Sequence, residues 1–521
     1  MTQLQPQTPS DSRTDAIYLL AFVAANLALK LSLVHFNAGS YTDAIIQLQT
    51  GLVSHDKFTQ LGLYPPLYGQ LAHILALTGL SLETAGRAVS AISGSLALIP
   101  IFYLTRLLFQ RDAARISALL FTLSPLVLRW SSHAMTDSLF LALSASNLYF
   151  CVKAWSLARE KSPLAQMDSA FAWASAFAAL ATFTRYQGVL LGLPLLLAAI
   201  AVLRQRCFPV RALALSVLWL APVGFAFAHR TVHTGQFADR TAGDLMPTLA
   251  AYWNTFESFV LIAPYYFGYP IAGLAIAGAA YASRGTFAVR PFLWVFSLWA
   301  VLLLALHAAF GSFQYRYIMP LLPGLLALAG HGAHQLYLAA KARGIYPLYS
   351  AAMMLSLAYL ALFSTAVLVF QKQTLGDQKQ AALYVKEHAA AGDQVFGNEL
   401  YGKFTQLGCV KLSFWSGHKV DHVYNVDTGK PRDLPPGSWV ILGNEYGGNE
   451  AMMGILQQLR TTYSVQEIEP TFSARVIPLM DDIMVDPLFN QNPMGWVLRY
   501  MPQTFFTRVL RVYSPAGTPK H

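Results

Sequence analysis

Apolar runs long enough to cross a bilayer recur along this chain from Ala16 to Phe370, and few folds can accommodate them. Of the 521 residues, 55% are apolar and only 12% are charged, so a water-soluble core would be a poor home for so many long runs. The chain is therefore expected to be an all-α polytopic membrane protein with about 11 transmembrane helices. The expected spans are Ala16–Phe36, Arg87–Phe109, Ile116–Leu128, Thr136–Trp155, Ser169–Thr184, Gln187–Leu203, Arg211–Ala228, Leu261–Tyr281, Pro291–Ala309, Ile318–Ala340 and Tyr346–Phe370. Residues 1–15 are polar, with no apolar h-region or small-residue cleavage site, and read as a short tail ahead of a first span that serves as the targeting signal. Lys30, near the end of that span, is placed to snorkel toward the interface.

Leu67 to Leu80 is apolar but only about 14 residues long, and Tyr64-Pro65-Pro66 breaks the chain before it. An interfacial or re-entrant helix is expected there. With that helix kept off the list of spans, the basic residues sort cleanly. Arg106, Arg111 and Arg115, then Lys153, Arg159 and Lys161, then Arg204, Arg206 and Arg211, then Arg284 and Arg290, then Lys341 and Arg343 all fall on one side. The other side carries isolated ones: Lys57, Arg87, Arg129, Arg185, Arg230, Arg240 and Arg316. By the positive-inside rule the N-terminus is cytoplasmic, and the loop after the first span lies outside together with everything beyond Phe370. The same sorting accounts for the formal charge of +10, which is read as topology and not as nucleic-acid binding. The three cysteines, Cys151, Cys207 and Cys409, have no spacing that suits zinc or a disulfide framework.

The outer face is where function is sought. The loop from Asn37 to Tyr68 is polar, aromatic and acidic, and Asp43 sits just past the end of the first span. Taken alone, Asp43 reads as a solvated loop residue before it reads as part of a site, and the rest of the chain has to shift that reading. Arg87 opens the second span, Arg129, His133 and Asp137 lie in RWSSHAMTDS, Arg185 joins two spans in TFTRYQG, and Arg316 stands between Tyr315 and Tyr317. Any one of these suits an interfacial anchor, but a recurring set of charges at membrane depth marks a substrate site. Guanidinium groups near the lipid boundary match a phosphate through bidentate, charge-assisted hydrogen bonds, and a carboxylate can take the proton of an attacking hydroxyl. Together they point to group transfer from a lipid phosphate to an acceptor outside the cytoplasm.

Six stretches, SYTDAIIQL, YPPLYGQLAHIL, RAVSAISGSLALIPIFYLTRLLF, RWSSHAMTDSLFLAL, ATFTRYQGVLL and QYRYIMPLLPGL, taken in order, resemble the GT-C glycosyltransferases. The pattern is nearest to the protein O-mannosyltransferase and aminoarabinose transferase branch, over about the first 340 residues. The resemblance implies a polyprenyl-phosphate sugar donor, an inverting single displacement and a catalytic carboxylate in the first outer loop, here Asp43. It also matches Asp137 to the second outer-loop acid, as an orienting or acceptor-binding group, and Arg87 to an arginine of the pattern. Arg185 and Arg316 are the candidates for the donor phosphate, with Arg87 and Arg129 behind them. Tyr41, Tyr64, His133, Tyr315, Tyr317 and Glu257 are candidate substrate contacts. Two departures bear on specificity: Ala44 follows Asp43 where the family often has Glu, and Tyr64 precedes the Pro-Pro where a basic residue or His is common.

The segment from His229 to Pro264, which contains Glu257, is too polar to cross and is expected as an outer loop or short amphipathic helices. A divalent metal, which some GT-C oligosaccharyltransferases need, would require converging oxygens, with Asp43, Asp56, Asp137 and Glu257 as the available acids. No metal site is assigned. Residues 371–521 change to a soluble composition, with helix-like DQKQAALYVKEHAA capped by Asp377, strand-like DQVFGN and SWVILGN, and a helix from Glu450 to Arg460. A small extracytoplasmic α/β domain is expected. EYGGNE lacks dinucleotide spacing and reads as a loop. The absence of an Asn-x-Ser/Thr sequon points weakly away from a secretory lumen and toward a bacterial plasma membrane. A transporter or flippase of a lipid-linked sugar is the alternative, but paired repeats with broken helices are not seen.

Overall fold

The structure is a computed structural model that describes residues 9–49, 64–204, 260, 263–284, 289–309, 315–398, 409–424, 432–444, 448–477, 479 and 501–515. The expected span Arg211–Ala228 and the polar segment containing Glu257 lie outside the described residues, as does Asp56. The chain divides into two compact units, Met1–Val34 with Gln47–Ala366, and His35–Ile46 with Val367–His521.

The first unit is helical. It begins with α1 (Pro9–Ser32), and α2 (Thr42–Gln49) enters it at Gln47. The short α3 (Leu67–Ala76) starts directly after Pro65 and Pro66. Next come α4 (Leu82–Leu96), whose Ser81 side chain accepts a cap bond from the Thr84 amide, and α5 (Leu98–Leu108). Then follow α6 (Arg111–Thr122), α7 (Pro125–Ser131), α8 (Asp137–Arg159), α9 (Leu164–Thr184) and α10 (Gly192–Arg204). The set closes with α11 (Tyr269–Arg284), α12 (Arg290–Ala309), α13 (Leu322–Ala342) and α14 (Tyr346–Phe370).

Among the described residues four stretches are long and apolar enough to cross a membrane: Arg13–Ser32, Leu82–Leu108, Arg290–His307 and Tyr346–Phe370. A fifth is added if α6 and α7, bent by 53°, count as one span. Several other expected spans are helices with irregular starts. Gln187–Leu203 opens as the 3₁₀ turn Tyr186–Leu191, and Ile318–Ala340 opens as the 3₁₀ turn Tyr315–Leu321. Tightened first turns of this kind aim the residues at their entrances instead of extending the helix.

Small residues and buried polar groups hold these helices together. The backbones of α11 and α13 approach so closely that a Cβ on Gly278 would lie 1.9 Å from the Leu328 carbonyl oxygen, and one on Gly332 2.1 Å from that of Leu274. Asn26 donates to Thr122 Oγ1 at 2.8 Å, joining α1 to α6. Lys30 does not snorkel. It is fully buried, its ammonium donating to the Gly94 carbonyl at 2.8 Å and lying 4.8 Å from the Phe121 ring centre, because a closer acceptor is available in α4 than at the interface.

The second unit is an α/β domain. Its sheet has strands β1 (Val395–Gly397), β2 (Val420–His422), β3 (Trp439–Gly443), β4 (Tyr463–Val476) and β5 (Gln503–Pro515) in the order β2-β1-β3-β5-β4. β1 pairs in parallel with β2 and β3, whereas β5 runs antiparallel to β3 and β4. Helices α15 (Gly376–His388), α16 (Val410–Ser416) and α17 (Gly448–Thr462) complete it. Met452, Leu456 and Leu459 of α17 pack with Val440, Leu442 and Leu510 of the sheet, an apolar stripe at helical spacing laid on alternating strand residues. Asp377 is not a helix cap. It lies inside the first turn of α15 and accepts from the Thr507 hydroxyl at 2.8 Å, fastening the helix to β5.

The segment His35–Ile46 belongs to this unit. Ala38 N–H donates to the Lys372 carbonyl at 2.8 Å, the Lys372 ammonium lies 5.0 Å from the Phe36 ring centre, and Gly39 abuts Leu375 so closely that a Cβ there would sit 2.8 Å from Leu375 Cβ.

Candidate active site

In the first unit several of the isolated charges converge. Arg185 caps the C-terminus of α9 in an extended conformation (φ −150°), which turns its side chain out of the helix. The Gly188 N–H donates to the Arg185 carbonyl at 2.9 Å, closing the turn, and any Cβ on Gly188 would lie 2.4 Å from the Thr182 amide nitrogen. The glycine of TFTRYQG therefore permits the tight reversal that presents Arg185. Asp137, in the first turn of α8, accepts a hydrogen bond from Arg185 Nη1 on its Oδ1. Its Oδ2 lies 4.0 Å from Arg316 Nη1, an ion-pair distance too long for a hydrogen bond. All three side chains are at least 90% buried.

Aromatic faces complete the setting. The Tyr317 ring centre is 4.7 Å from the Arg185 guanidinium carbon and 5.3 Å from that of Arg316, so one ring serves two cations. Trp130 lies under Arg316 at 5.3 Å and under Arg129 at 5.9 Å. Arg316 also reaches Met135 Sδ at 3.5 Å. His307, from the end of α12, stacks on Tyr317 with 4.5 Å between centres and 15° between planes.

Beside this group Arg129, in the last turn of α7, and His133, in the bend between α7 and α8, are both buried. Burial, and then the nearby charges of Arg129, Arg87 and Arg316, hold the His133 imidazole well below its ordinary pKa, so it stays neutral near pH 7. Gln47 Oε1 accepts from the Thr136 amide at 3.1 Å, tying the start of α8 to the chain that follows the first span.

Arg87 behaves differently from the other arginines. It donates to Glu83 Oε1 at 2.7 Å one turn earlier on α4, and to the Val34 carbonyl at 3.1 Å. Its charge is thus balanced on the spot, and its geometry joins α4 to the end of α1. Tyr68 of α3 donates to the Gly86 carbonyl at 2.7 Å and lies 2.9 Å from the Ser90 hydroxyl.

Of the remaining sequence candidates, Tyr64 is half-buried immediately before the Pro-Pro pair. Tyr315 opens the 3₁₀ turn that carries Arg316 and Tyr317. In the second unit, Asp43 is buried in the first turn of α2, and Tyr41 is buried just before it. Glu257 is outside the described residues. Among the described residues no group of three or more His, Cys, Asp or Glu side chains could hold a metal ion.

Sequence reasoning overlooked Trp130, His307 and Glu83. Two of them carried a signal: His307 is a polar residue inside an apolar run, and Glu83 stands one helical turn before Arg87. Trp130 adjoins Arg129 and reads from sequence as an ordinary interfacial aromatic.

Residues 64–227 match the family described as dolichyl-phosphate-mannose-protein mannosyltransferase. No curated protein matches the chain. Among solved structures the chain is similar to ArnT from Cupriavidus metallidurans bound to undecaprenyl phosphate, with a TM-score of 0.60 and 14% identity, over 87% of this chain and 96% of that one. The apo state of the same protein matches equally. The archaeal oligosaccharyltransferase AglB from Archaeoglobus fulgidus, in complex with an inhibitory peptide and a dolichol-phosphate, aligns with a TM-score of 0.53 and 14% identity over 87% of this chain and 73% of that one.

Proposed function

We propose that this chain, which has the fold of the GT-C glycosyltransferases and carries a mannosyltransferase-family segment over residues 64–227, transfers a sugar from a polyprenyl phosphate to an acceptor hydroxyl. The observation that carries the reading is the buried pair Arg185 and Arg316, steadied by one carboxylate and one shared aromatic ring. Arg129, Arg185 and Arg316 are all buried, with Asp137 against Arg185 and Arg316, while Arg87 pairs with Glu83. Guanidinium groups held side by side out of water present the planar donors that match a phosphate, and a lipid phosphate brought from the bilayer supplies one. The name of the matching ArnT structure, with undecaprenyl phosphate bound, supports the same donor class.

In this reading Asp137 positions Arg185 and Arg316, and the two guanidinium groups bind the donor phosphate, with Arg129 adding to the field. The acceptor oxygen attacks the anomeric carbon as the bond to the phosphate oxygen breaks. The phosphate leaves with that electron pair, its growing charge met by the arginines, and Asp43 takes the hydroxyl proton. One displacement inverts the anomeric centre. Tyr41, Tyr64, His133, Tyr315, Tyr317 and Glu257 remain the proposed substrate contacts. The proposed orientation has the N-terminus in the cytoplasm of a bacterial cell, since Asp15 gathers Arg106, Arg111 and Arg115 at the basic end of the bundle. The active site and residues 371–521 then face outward. Binding of undecaprenyl phosphate to the purified protein tests the donor site. Arg185→Gln and Arg316→Gln should each weaken it by about tenfold or more, the worth of a charge-assisted bond. Unaltered binding in both variants would remove the phosphate from this site.

A further inference from the structure

A cavity in the first unit is lined by none of the residues of the arginine cluster. It encloses about 590 Å³ between the C-terminal half of α8, the α10 helix and the start of α12. Its walls include Leu148, Cys151 and Trp155 of α8, Ala198 of α10 and Phe292 of α12, and Arg159 of α8 lines one end. The volume falls in the range of pockets that hold an organic ligand. From Leu148 to Arg159 the helix rises roughly 17 Å at 1.5 Å per residue, about half of a ~30 Å hydrocarbon core. The cavity is therefore as deep as one leaflet.

At its basic end Arg159 of the last turn of α8 lines the cavity, and the exposed Arg290 opens α12 one residue before Pro291, which also lines it. The nearby acid Glu160 is engaged by the Ser156 hydroxyl at 2.9 Å. Arg159 is exposed and makes no ion pair or hydrogen bond from its side chain to another described residue. Trp155 one turn away stands at the depth where an amphipathic ring suits the membrane interface.

We infer that this groove is a binding site for an anionic two-chain phospholipid of the leaflet opposite the Asp137 site, with one acyl chain in the cavity and the phosphate on Arg159. The apolar wall suits a hydrocarbon chain, and the basic mouth selects an acidic headgroup over a zwitterionic one. The polyprenyl phosphate is a poor occupant here. Asp137 and Arg159 are the two ends of the 23-residue α8, so its proposed phosphate site is about 33 Å away.

The test uses the full chain in detergent, with retained lipid counted by native mass spectrometry after addition of phosphatidylglycerol or phosphatidylcholine. Phosphatidylglycerol should be retained in preference, Arg159→Gln should weaken it about tenfold, and Ala198→Trp, which fills the cavity, should abolish it. Thermal unfolding in phosphatidylcholine checks that both variants are folded, and Arg159→Gln at the exposed mouth decides the matter if Ala198→Trp is not. Equal retention of the two lipids, or wild-type retention by Arg159→Gln, would overturn the inference. So would displacement of phosphatidylglycerol by an equimolar amount of undecaprenyl phosphate, which would give the groove to the donor's tail.

Discussion

Two buried carboxylates at opposite ends of the first unit each gather arginines, and they do it differently. Asp15 is met by Arg111 at 2.5 Å and Arg115 at 3.2 Å on one oxygen and by Arg106 at 3.1 Å on the other. Those guanidinium groups keep 14 to 30% of their surface in solvent, and Asp112 lies 3.7 Å from Arg115. Asp137 holds Arg185 closely and Arg316 loosely, both out of water, with Tyr317 and Trp130 facing the cations. The first arrangement is a clamp that fastens α1 to α5 and α6. The second presents two buried guanidinium groups to one carboxylate and one shared ring, an arrangement that suits a site built to receive an anion.

Neutralising each carboxylate should separate the two roles. Asp137→Asn removes the carboxylate that two buried guanidinium groups face and should cost about 3–5 kcal/mol of stability together with donor binding. Asp15→Asn strands arginines that water already reaches, so the cost should be about 1–2 kcal/mol with donor binding intact. Thermal unfolding and lipid-phosphate binding measured on both variants would break the comparison if the order reversed. The next largest effect concerns the aromatic floor. Tyr317→Leu removes a ring shared by Arg185 and Arg316 and should weaken donor phosphate by about 1 kcal/mol, roughly fivefold, whereas Tyr317→Phe should bind like wild type. A loss in Tyr317→Phe equal to that in Tyr317→Leu would shift the role from the ring to the hydroxyl.

The smallest effect at neutral pH belongs to His133. Its folded pKa is depressed, so below the unfolded value of about 6.5 the unfolded chain binds the proton first and stability falls as pH falls. The slope from this residue is at most about 1.4 kcal/mol per pH unit and levels off below the folded pKa. Urea unfolding of wild type and His133→Gln from pH 7 to pH 5 should show the variant losing less stability. Parallel curves would mean that His133 is not held neutral.

The arginine cluster was largely legible in the sequence because a charge inside apolar surroundings is conspicuous: Asp137, Arg185 and Arg316 stood out singly, and the fold brings them together. What each charge does there depended on partners that spacing does not announce. Arg87, a candidate phosphate ligand behind Arg185 and Arg316, also pairs with Glu83 and donates to the Val34 carbonyl, partners that its position in the sequence does not name. Lys30 looked like a snorkelling residue, yet the Gly94 carbonyl accepts a hydrogen bond from its ammonium inside the bundle. In the second unit β1, β3, α15 and α17 were readable from local sequence, whereas the short α16 was not. The long β4 and β5 pair was not, because Gln466, Glu467, Arg508 and Arg511 interleave with apolar residues and the two strands are distant in sequence. The association of His35–Ile46 with that unit rests on backbone bonds and a glycine contact at Lys372 and Leu375, which no periodicity encodes.

The central claim is that sugar leaves a polyprenyl phosphate with Asp43 as the base, and turnover tests it most directly. Purified protein given an undecaprenyl-phosphate-linked sugar and an acceptor should release undecaprenyl phosphate. Asp43→Asn should slow that release by about 10² or more, the contribution of a general base, while still binding the lipid phosphate. Release at the wild-type rate in the Asp43→Asn protein would contradict the account.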